Sequence, residues 1–332
     1  MEQISKSKNI FSKIRKSNMT SMGIILVVLI FIASIFSPYF LDPYNLQSLV
    51  RDIAFIGIIA IAQSCLMLIG ELDLSVGKIA AFSGVIGGML MVNLSLNPYL
   101  VLVICLIIGA VLGGINGFLT TKLNLNSIIV TIGMTGVYGG LTLVITQGKA
   151  ITNIPERIHF LGQGSVLGFP IPFIIMILIL VFVIFVVKFT KLGRYIYAIG
   201  NNVEAAKILG IKVNTIRVTL FVFVGILCAV AGMLMVARLG SAQPSIGDMW
   251  QLNSIAAAVI GGIALTGGLG NPFGAVIGAS IITIIQNMIV LFGVSSYWQT
   301  AVSGIIVILA ISFQSISLML RERKKRKRNI AA

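Results

Sequence analysis

Two carboxylates interrupt a long apolar stretch in the segment Gly70–Gly77, which reads Gly-Glu-Leu-Asp-Leu-Ser-Val-Gly. Glu71 and Asp73 lie two residues apart, and a charged side chain at the centre of a bilayer costs about 2.5–3.5 kcal/mol on insertion scales. The segment is therefore either a short turn in which water solvates both carboxylates, or a broken helix whose backbone ends line a solute path. The sequence leaves both interpretations open.

Four uncharged amide side chains also lie in apolar surroundings, namely Gln63, Asn116, Gln286 and Asn287. A buried amide needs hydrogen-bond partners. Each is predicted either to bond to a neighbouring helix or to line a path. An amide-lined path suits a neutral, hydroxylated solute, because an amide offers a donor and an acceptor without a charge.

A polar loop, residues 189–214, separates two apolar runs and contains one short predicted helix. Asn201 is predicted to cap its first turn, with Glu204 three residues later as in a capping box. Gly210 is predicted to end it. Glu204 also lies at the positive end of the helix dipole. The residues of interest are Gly200, Asn201, Asn202, Glu204, Ala205, Ala206, Leu209 and Gly210.

A second glycine-rich break precedes Pro272 and contains Gly267, Gly268 and Gly270. It does not end in Gly-Lys-Ser/Thr, so a phosphate-binding loop is excluded there. Its position echoes the first break, between Gly70 and Gly77. Two corresponding breaks in two related halves indicate a binding site near the middle of a membrane.

The composition is that of a multi-pass membrane protein. Hydrophobic residues make up 58% of the 332 residues, charged residues only 10%, and the mean hydropathy is +1.06. Such values lie outside the range of soluble domains, and apolar runs of about 18 residues or more recur. One histidine and three scattered cysteines give no metal-ligand cluster, and nine scattered acids give no catalytic one. An all-α protein with about ten membrane spans is predicted, some broken by Gly or Pro, at residues 20–37, 52–70, 76–92, 99–119, 127–146, 171–188, 215–237, 252–269, 273–293 and 298–319.

The charges predict the orientation of these spans. With the N-terminus inside, 20 of the 24 basic residues fall on the cytoplasmic side, Lys78 among them, as the positive-inside rule requires. Residues 1–20 and 320–332 are then basic cytoplasmic tails that flank one membrane domain, residues 21–319. A basic tail that follows a span is interpreted as a lipid anchor, and no nucleic-acid partner is predicted. Pairs of glycines four apart, such as Gly109 and Gly113 or Gly136 and Gly140, predict close packing of helices.

Three stretches resemble the ribose-type sugar permeases of ABC importers. Asp73, Ser75 and Gly77 match the signature of the first break, and Glu71 departs from it. The loop Tyr197–Ile211 resembles the family's coupling loop, and the Gly-rich stretch after Gly261 resembles its second motif. The resemblance covers residues 24–315.

The resemblance implies a permease of the bacterial plasma membrane that carries a monosaccharide. It also implies three protein partners: an ATPase that binds ATP and Mg²⁺ and receives the coupling helix, a second permease copy or paralogue, and an external sugar-binding protein. Gln63, Asp73, Ser75, Asn116, Gln286 and Asn287 are the candidate path residues. No cofactor and no catalytic activity of its own are expected of this chain. The alternative is a secondary transporter driven by an ion gradient, which would be expected to carry coupling carboxylates within its spans.

Overall fold

A computed structural model describes residues 18–295, 298–309 and 311–312, and its regular structure is almost entirely helical. The predicted tails lie outside these ranges apart from residues 18–20, as does the end of the last predicted span. Two short strands, β1 (Ser165–Val166) and β2 (Phe169–Pro170), form a hairpin, and Ile151 and Ala242 form an isolated antiparallel bridge; these are the departures from the all-α prediction within the described residues. The helices are α1 (Asn18–Phe36), α2 (Pro43–Met67), α3 (Val76–Val92), α4 (Pro98–Lys122), α5 (Ser127–Thr146), α6 (Glu156–Gln163), α7 (Ile171–Phe189), α8 (Lys191–Asn201), α9 (Val203–Ile208), α10 (Val213–Leu239), α11 (Trp250–Ile260), α12 (Pro272–Leu291) and α13 (Trp298–Leu309).

Six of these helices, α2, α4, α5, α7, α10 and α12, are long and apolar enough to cross a membrane. The shorter apolar helices α1, α3, α11 and α13 fall in the remaining predicted spans. The helical membrane class is therefore confirmed, whereas the count of ten spans stays a prediction. The predicted extent of the eighth span, 252–269, is wrong. Helix α11 ends at Ile260, because Gly262 follows with a φ of +79°, which a right-handed helix cannot accommodate.

Three helices begin at an acidic or amide residue followed by proline. Asp42, Asn97 and Asn271 each accept a hydrogen bond from the backbone N–H two residues later, at 2.9 Å in each case. Proline at the first helical position loses no hydrogen bond, because that N–H has no partner within the helix. These pairs set the starts of α2, α4 and α12.

Glycines let the central helices pack backbone to backbone. Helix α2 is the most enclosed span, with 83% of its apolar window buried. Side chains at Gly109 and Gly113 would overlap the backbone of Gly225 and Phe221 on α10. The packing predicted for this pair is confirmed. A Cβ at Gly136 or Gly140 on α5 would meet no atom within 4 Å among the described residues, so close packing at this second pair stays a prediction.

The segment between α10 and α11, residues 240–249, turns back into the bundle. Ala242 lies against Gly88 near the C-terminal end of α3, whereas Gly247 lies against Gly77 in its first turn. Gly77 and Gly88 are 11 residues apart on α3, so the segment descends by about 16 Å along this helix at a rise of 1.5 Å per residue. This re-entrant segment (residues 240–249) brings its C-terminal end to the middle of the bundle.

Candidate coupling surface and solute chamber

The first break, residues 68–75, is an unwound segment whose backbone is satisfied by hydroxyl groups. The Leu72 and Leu74 N–H groups donate to Ser127 Oγ (3.3 Å) and Thr131 Oγ1 (3.0 Å). The Thr135 hydroxyl donates to the Leu74 carbonyl at 3.0 Å. These three hydroxyls lie four residues apart on α5, so they form one line along a helix face. Irregular backbone within a membrane bundle requires such partners.

Asp73 is fully buried at the centre of a polar cluster. One carboxylate oxygen accepts from the Ser75 N–H (2.7 Å) and the Ser75 hydroxyl (2.6 Å), and the other accepts from the Asn116 amide (3.1 Å). The Tyr138 hydroxyl donates to Asn116 Oδ1 at 3.0 Å. The Gln63 amide, placed in its hydrogen-bonding orientation, pairs with the Asp73 backbone N–H and carbonyl at 3.2 Å each. The cluster therefore fastens the break to α2, α4 and α5.

This arrangement separates the six predicted path residues into two groups. Gln63, Asp73, Ser75 and Asn116 are all fully buried and bonded to one another. Their position supports the fold of the break, and none of them lines the chamber described below. Gln286 and Asn287, in contrast, do line that chamber.

Glu71, the departure from the family signature, forms an ion pair with Arg217 at the start of α10, with 3.1 Å between Arg217 Nε and Glu71 Oε1. Both side chains are largely enclosed and border a cavity of about 560 Å³ on the predicted cytoplasmic side. Glu71 is thus neither a freely solvated turn residue nor an unpaired charge.

Four glycines bring the two breaks and the coupling region together. Gly70, Gly267 and Gly268 adopt φ values of +78°, +86° and +74°, and the Gly268 N–H donates to the Leu68 carbonyl at 2.9 Å. A side chain at Gly200, in the last turn of α8, would overlap both partners of that bond. We call Gly70, Gly200, Gly267 and Gly268 the glycine junction.

A tyrosine hydroxyl strengthens the contact between α8 and the second break. Tyr197 donates to the Gly270 carbonyl at 2.8 Å, and burial raises the pKa of this phenol above its ordinary value. Gly70, Gly267, Gly268 and Gly270, which were predicted as helix breaks, all lie outside the helices with positive φ. Gly77 is different: it lies within the first turn of α3 and permits close contact with Gly247.

The coupling region contains two helices instead of the single one predicted, and the predicted cap is displaced by one residue. Asn202 is extended (φ −161°) and accepts from the Ala205 N–H at 3.0 Å. Asn201 cannot cap α9 because it ends α8 and its amide donates back to the Tyr197 carbonyl. Gly210, with φ +76°, terminates the region as predicted.

The residues exposed on and just after α9 differ from those predicted to contact the ATPase. Ala206 is 1% exposed and packs within this chain, and Gly200 belongs to the glycine junction. Glu204 is exposed and pairs with Lys207 at 2.8 Å. Leu209 and Ile208 are 77% and 87% exposed. Ile208 was missed, although its position beside Leu209 on a short polar helix could have indicated it.

A chamber of about 550 Å³ opens between α2, α11, α12 and α13, on the side opposite the glycine junction. Asn45 and Asn287 exchange two amide hydrogen bonds across it, at 2.8 and 3.3 Å. Gln286 donates to Ser303 at 3.1 Å. Phe55 and Trp250 stack with their ring centroids 6.2 Å apart. We call this space the outer chamber.

The carboxylates of the outer chamber are both paired. Asp52 accepts from Arg238, whose guanidinium also lies over the Phe55 ring. Asp248, in the re-entrant segment, pairs with Lys78 at 2.5 Å. The cytoplasmic position predicted for Lys78 is therefore wrong, because this side chain meets the re-entrant segment inside the bundle.

Unwound backbone held within an apolar bundle, a polar chamber at one end and a surface helix at the other define a multi-pass membrane transport protein. The family described as "Branched-chain amino acid transport system / permease component" matches residues 45–311. The chain belongs to this family, and it is a ribose-type permease of the ABC-transporter class.

Several curated relatives are named as sugar permeases. The chain is 42% identical to the ribose import permease protein of Bacillus subtilis, over 86% of this chain and 89% of that protein. It is 34% identical to the L-arabinose ABC transporter permease protein of Azospirillum brasilense, over 88% and 86%. It is 31% identical to the fructose import permease protein of Rhizobium meliloti, over 89% and 85%. No solved structure matches the chain significantly.

Proposed function

We propose that this chain is the membrane subunit of an ABC importer that moves a monosaccharide, ribose or a related simple sugar, across the bacterial plasma membrane into the cytoplasm. The names of its relatives support the sugar class. Direction, partners and the power source are parts of the proposal. The chain translocates the sugar, and a separate ATPase subunit binds ATP and Mg²⁺.

The glycine junction is the observation that carries this proposal. The Gly200 backbone at the end of α8 lies directly against the Gly268-to-Leu68 hydrogen bond that joins the two breaks, and the Tyr197 hydroxyl of α8 donates to the Gly270 carbonyl. Packed backbone has few intermediate arrangements, so a displacement of α8 must displace the breaks. A force applied to the coupling region thereby reaches the helices that surround the outer chamber.

The exposed side of α9 is the proposed contact for the ATPase. It presents a carboxylate, Glu204, beside two exposed apolar side chains, Ile208 and Leu209. A neighbouring apolar pair at an aqueous surface is typical of a protein contact. On the opposite side, the loop 147–170 and the outer start of the re-entrant segment are the proposed contact for the external binding protein.

The open face of α5 is the proposed contact for a second permease copy or paralogue. Gly133, Gly136 and Gly140 lie on that face with no other element within 4 Å among the described residues. Only 22% of the apolar window of α5 is buried. Small residues let helices approach closely in lipid, where packing drives association.

Charge reversal at Glu204 tests the coupling assignment. Because Glu204 and Lys207 form an exposed ion pair, the substitution Glu204→Lys should cost the fold less than about 1 kcal/mol. We expect ATP-linked sugar uptake to be abolished while membrane insertion and thermal stability stay unchanged. Lys122→Glu, which reverses an exposed charge in the last turn of α4, outside the coupling region, is the matched control and should transport normally.

Uptake is measured in proteoliposomes that contain the chain, its ATPase and its binding protein. Normal uptake by the Glu204→Lys variant would refute the coupling assignment. Uptake that follows a proton or sodium gradient without ATP would favour the secondary transporter instead.

A further inference from the structure

The outer chamber contains an amide oxygen that lacks a partner. Asn253 is 4% exposed, lines the chamber, and its Oδ1 accepts no hydrogen bond within the described residues. A buried acceptor without a donor costs about 1–3 kcal/mol. A solute that carries a hydrogen-bond donor, such as a hydroxyl group, would satisfy this acceptor when it enters the chamber.

The chamber carries no unpaired carboxylate among the described side chains that line it. Asp52 is neutralised by Arg238 and Asp248 by Lys78. A cationic solute or the ammonium group of an amino acid would have to compete with these partners, whereas a neutral solute would not. The pairing therefore favours a neutral ligand.

The position of the Lys78–Asp248 pair indicates a polar cavity at this depth. Ala80 lies against Gly232, seven residues before the outer end of α10, so Lys78 lies about 13 Å below that end. Helix α10 is about 40 Å long, so this depth lies within a hydrocarbon core of roughly 30 Å. The Asp248 side chain is nevertheless 52% exposed. A charged group at such a depth is expected to face a water-filled cavity instead of lipid.

The remaining wall suits a sugar. Asn45 and Asn287 bond to each other through amides that a ring hydroxyl can replace one for one. Trp250, which stacks on the buried Phe55 ring, lines the wall beside them, and apolar surface with a few placed polar groups is the usual composition of a small-molecule site.

We propose that the outer chamber is a binding site for a neutral polyhydroxylated solute of monosaccharide size, in which Asn253 Oδ1 accepts from a solute hydroxyl and Trp250 lines the solute's apolar side. The proposal rests on the sugar-importer function above and adds a site within the permease itself. It makes the permease a second point of sugar selection after the external binding protein.

Tryptophan fluorescence tests the site directly, because the chain has two tryptophans and the substitution Trp298→Phe leaves Trp250 alone. The full-length Trp298→Phe chain in lipid nanodiscs is titrated with D-ribose, L-arabinose and D-fructose, and with L-leucine as the zwitterionic comparison. We expect a saturable change with at least one sugar and none with leucine. Asn253→Leu and Asn287→Leu, each added to Trp298→Phe, should weaken binding about tenfold or more.

Ser280→Ala is the matched control, because Ser280 lies on α12 with Gln286 and Asn287 and donates only to its own helix at Val276. Its affinity should equal that of the parent chain. The proposal is overturned if no sugar changes the fluorescence at about 100 mM, where even a millimolar site is saturated. An equal response to leucine, or unchanged sugar affinity in both asparagine variants, also overturns it.

The two proposals fail separately. Glu204-dependent sugar uptake without a Trp250 response would leave the importer function standing and remove the chamber site. A Trp250 response without any ATP-linked uptake would leave the chamber site standing and refute the importer function.

Discussion

Adding one methyl group at Gly200 should uncouple the protein. Gly200 lies inside α8 with a right-handed helical backbone, so alanine itself is favoured there by about 1 kcal/mol. The new Cβ would overlap the Leu68 carbonyl oxygen and the Gly268 nitrogen, which are bonded to each other at 2.9 Å. Any loss in the Gly200→Ala variant must therefore come from the glycine junction.

Two effects determine how much the Gly200→Ala substitution destabilises the glycine junction. Separating the Leu68 carbonyl from the Gly268 N–H leaves buried groups unpaired, which costs about 1–3 kcal/mol. Forcing a methyl group into packed backbone costs about 1–3 kcal/mol more. After the gain in helix propensity is subtracted, the glycine junction is destabilised by about 1–5 kcal/mol. This corresponds to a shift of at least about fivefold in the equilibrium between the intact and the separated junction.

The assay compares thermal unfolding in detergent with the sugar imported per ATP hydrolysed in proteoliposomes of the whole importer. We expect Gly200→Ala to lower both the unfolding temperature and the transport ratio. Gly23→Ala on α1 is the control, since no other element lies within 4 Å of Gly23 among the described residues. The reasoning is refuted if the two variants behave alike in both measurements.

Two further substitutions test other parts of the account. Asp73→Asn should lower the unfolding temperature, because three donors converge on this carboxylate and the NH2 group of an asparagine would face one of those donors, at a cost of about 1–3 kcal/mol. Sugar selectivity should not change. Altered selectivity without any loss of stability would show instead that Asp73 lines the solute path. Gly136→Cys on the open face of α5 should form an oxidant-dependent disulfide dimer on denaturing gels, whereas Val181→Cys on the exposed face of α7 should not. Equal cross-linking of both variants would contradict the proposed contact between permeases.

Local patterns in the sequence predicted the two breaks and the end of the coupling region at glycine, because glycine acts through its own backbone geometry. Gly210 is an example, since its positive φ follows from its place after a short helix. The asparagine and aspartate caps that precede proline at three helix starts carry an equally local signal, but they were not predicted. The displaced cap at Asn202 was not predictable in this way. Asn201 and Asn202 are chemically equal, and the choice depends on the Tyr197 carbonyl that engages Asn201.

Pairings between distant segments were not predictable from the sequence. Lys78 and Asp248 are 170 residues apart, and their ion pair depends on a re-entrant segment whose residues carry no apolar periodicity. The Asp73 cluster likewise joins three helices, so its four sequence-predicted members could be recognised as polar residues in apolar surroundings but not assigned to structure or to path. The glycine junction shows the same limit: each glycine was identified, but their contact depends on the tertiary fold.

The central claim is that this chain imports a sugar only when an ATPase acts on α9. The most direct test is uptake of labelled D-ribose, L-arabinose and D-fructose into proteoliposomes that contain the chain with its co-purified ATPase and binding protein, with ATP on the side of α9. The account predicts that at least one sugar accumulates, and that accumulation stops without ATP, without the ATPase or with Glu204→Lys. Accumulation by the chain alone under a proton gradient, with no ATPase recovered from its native membrane, would contradict it.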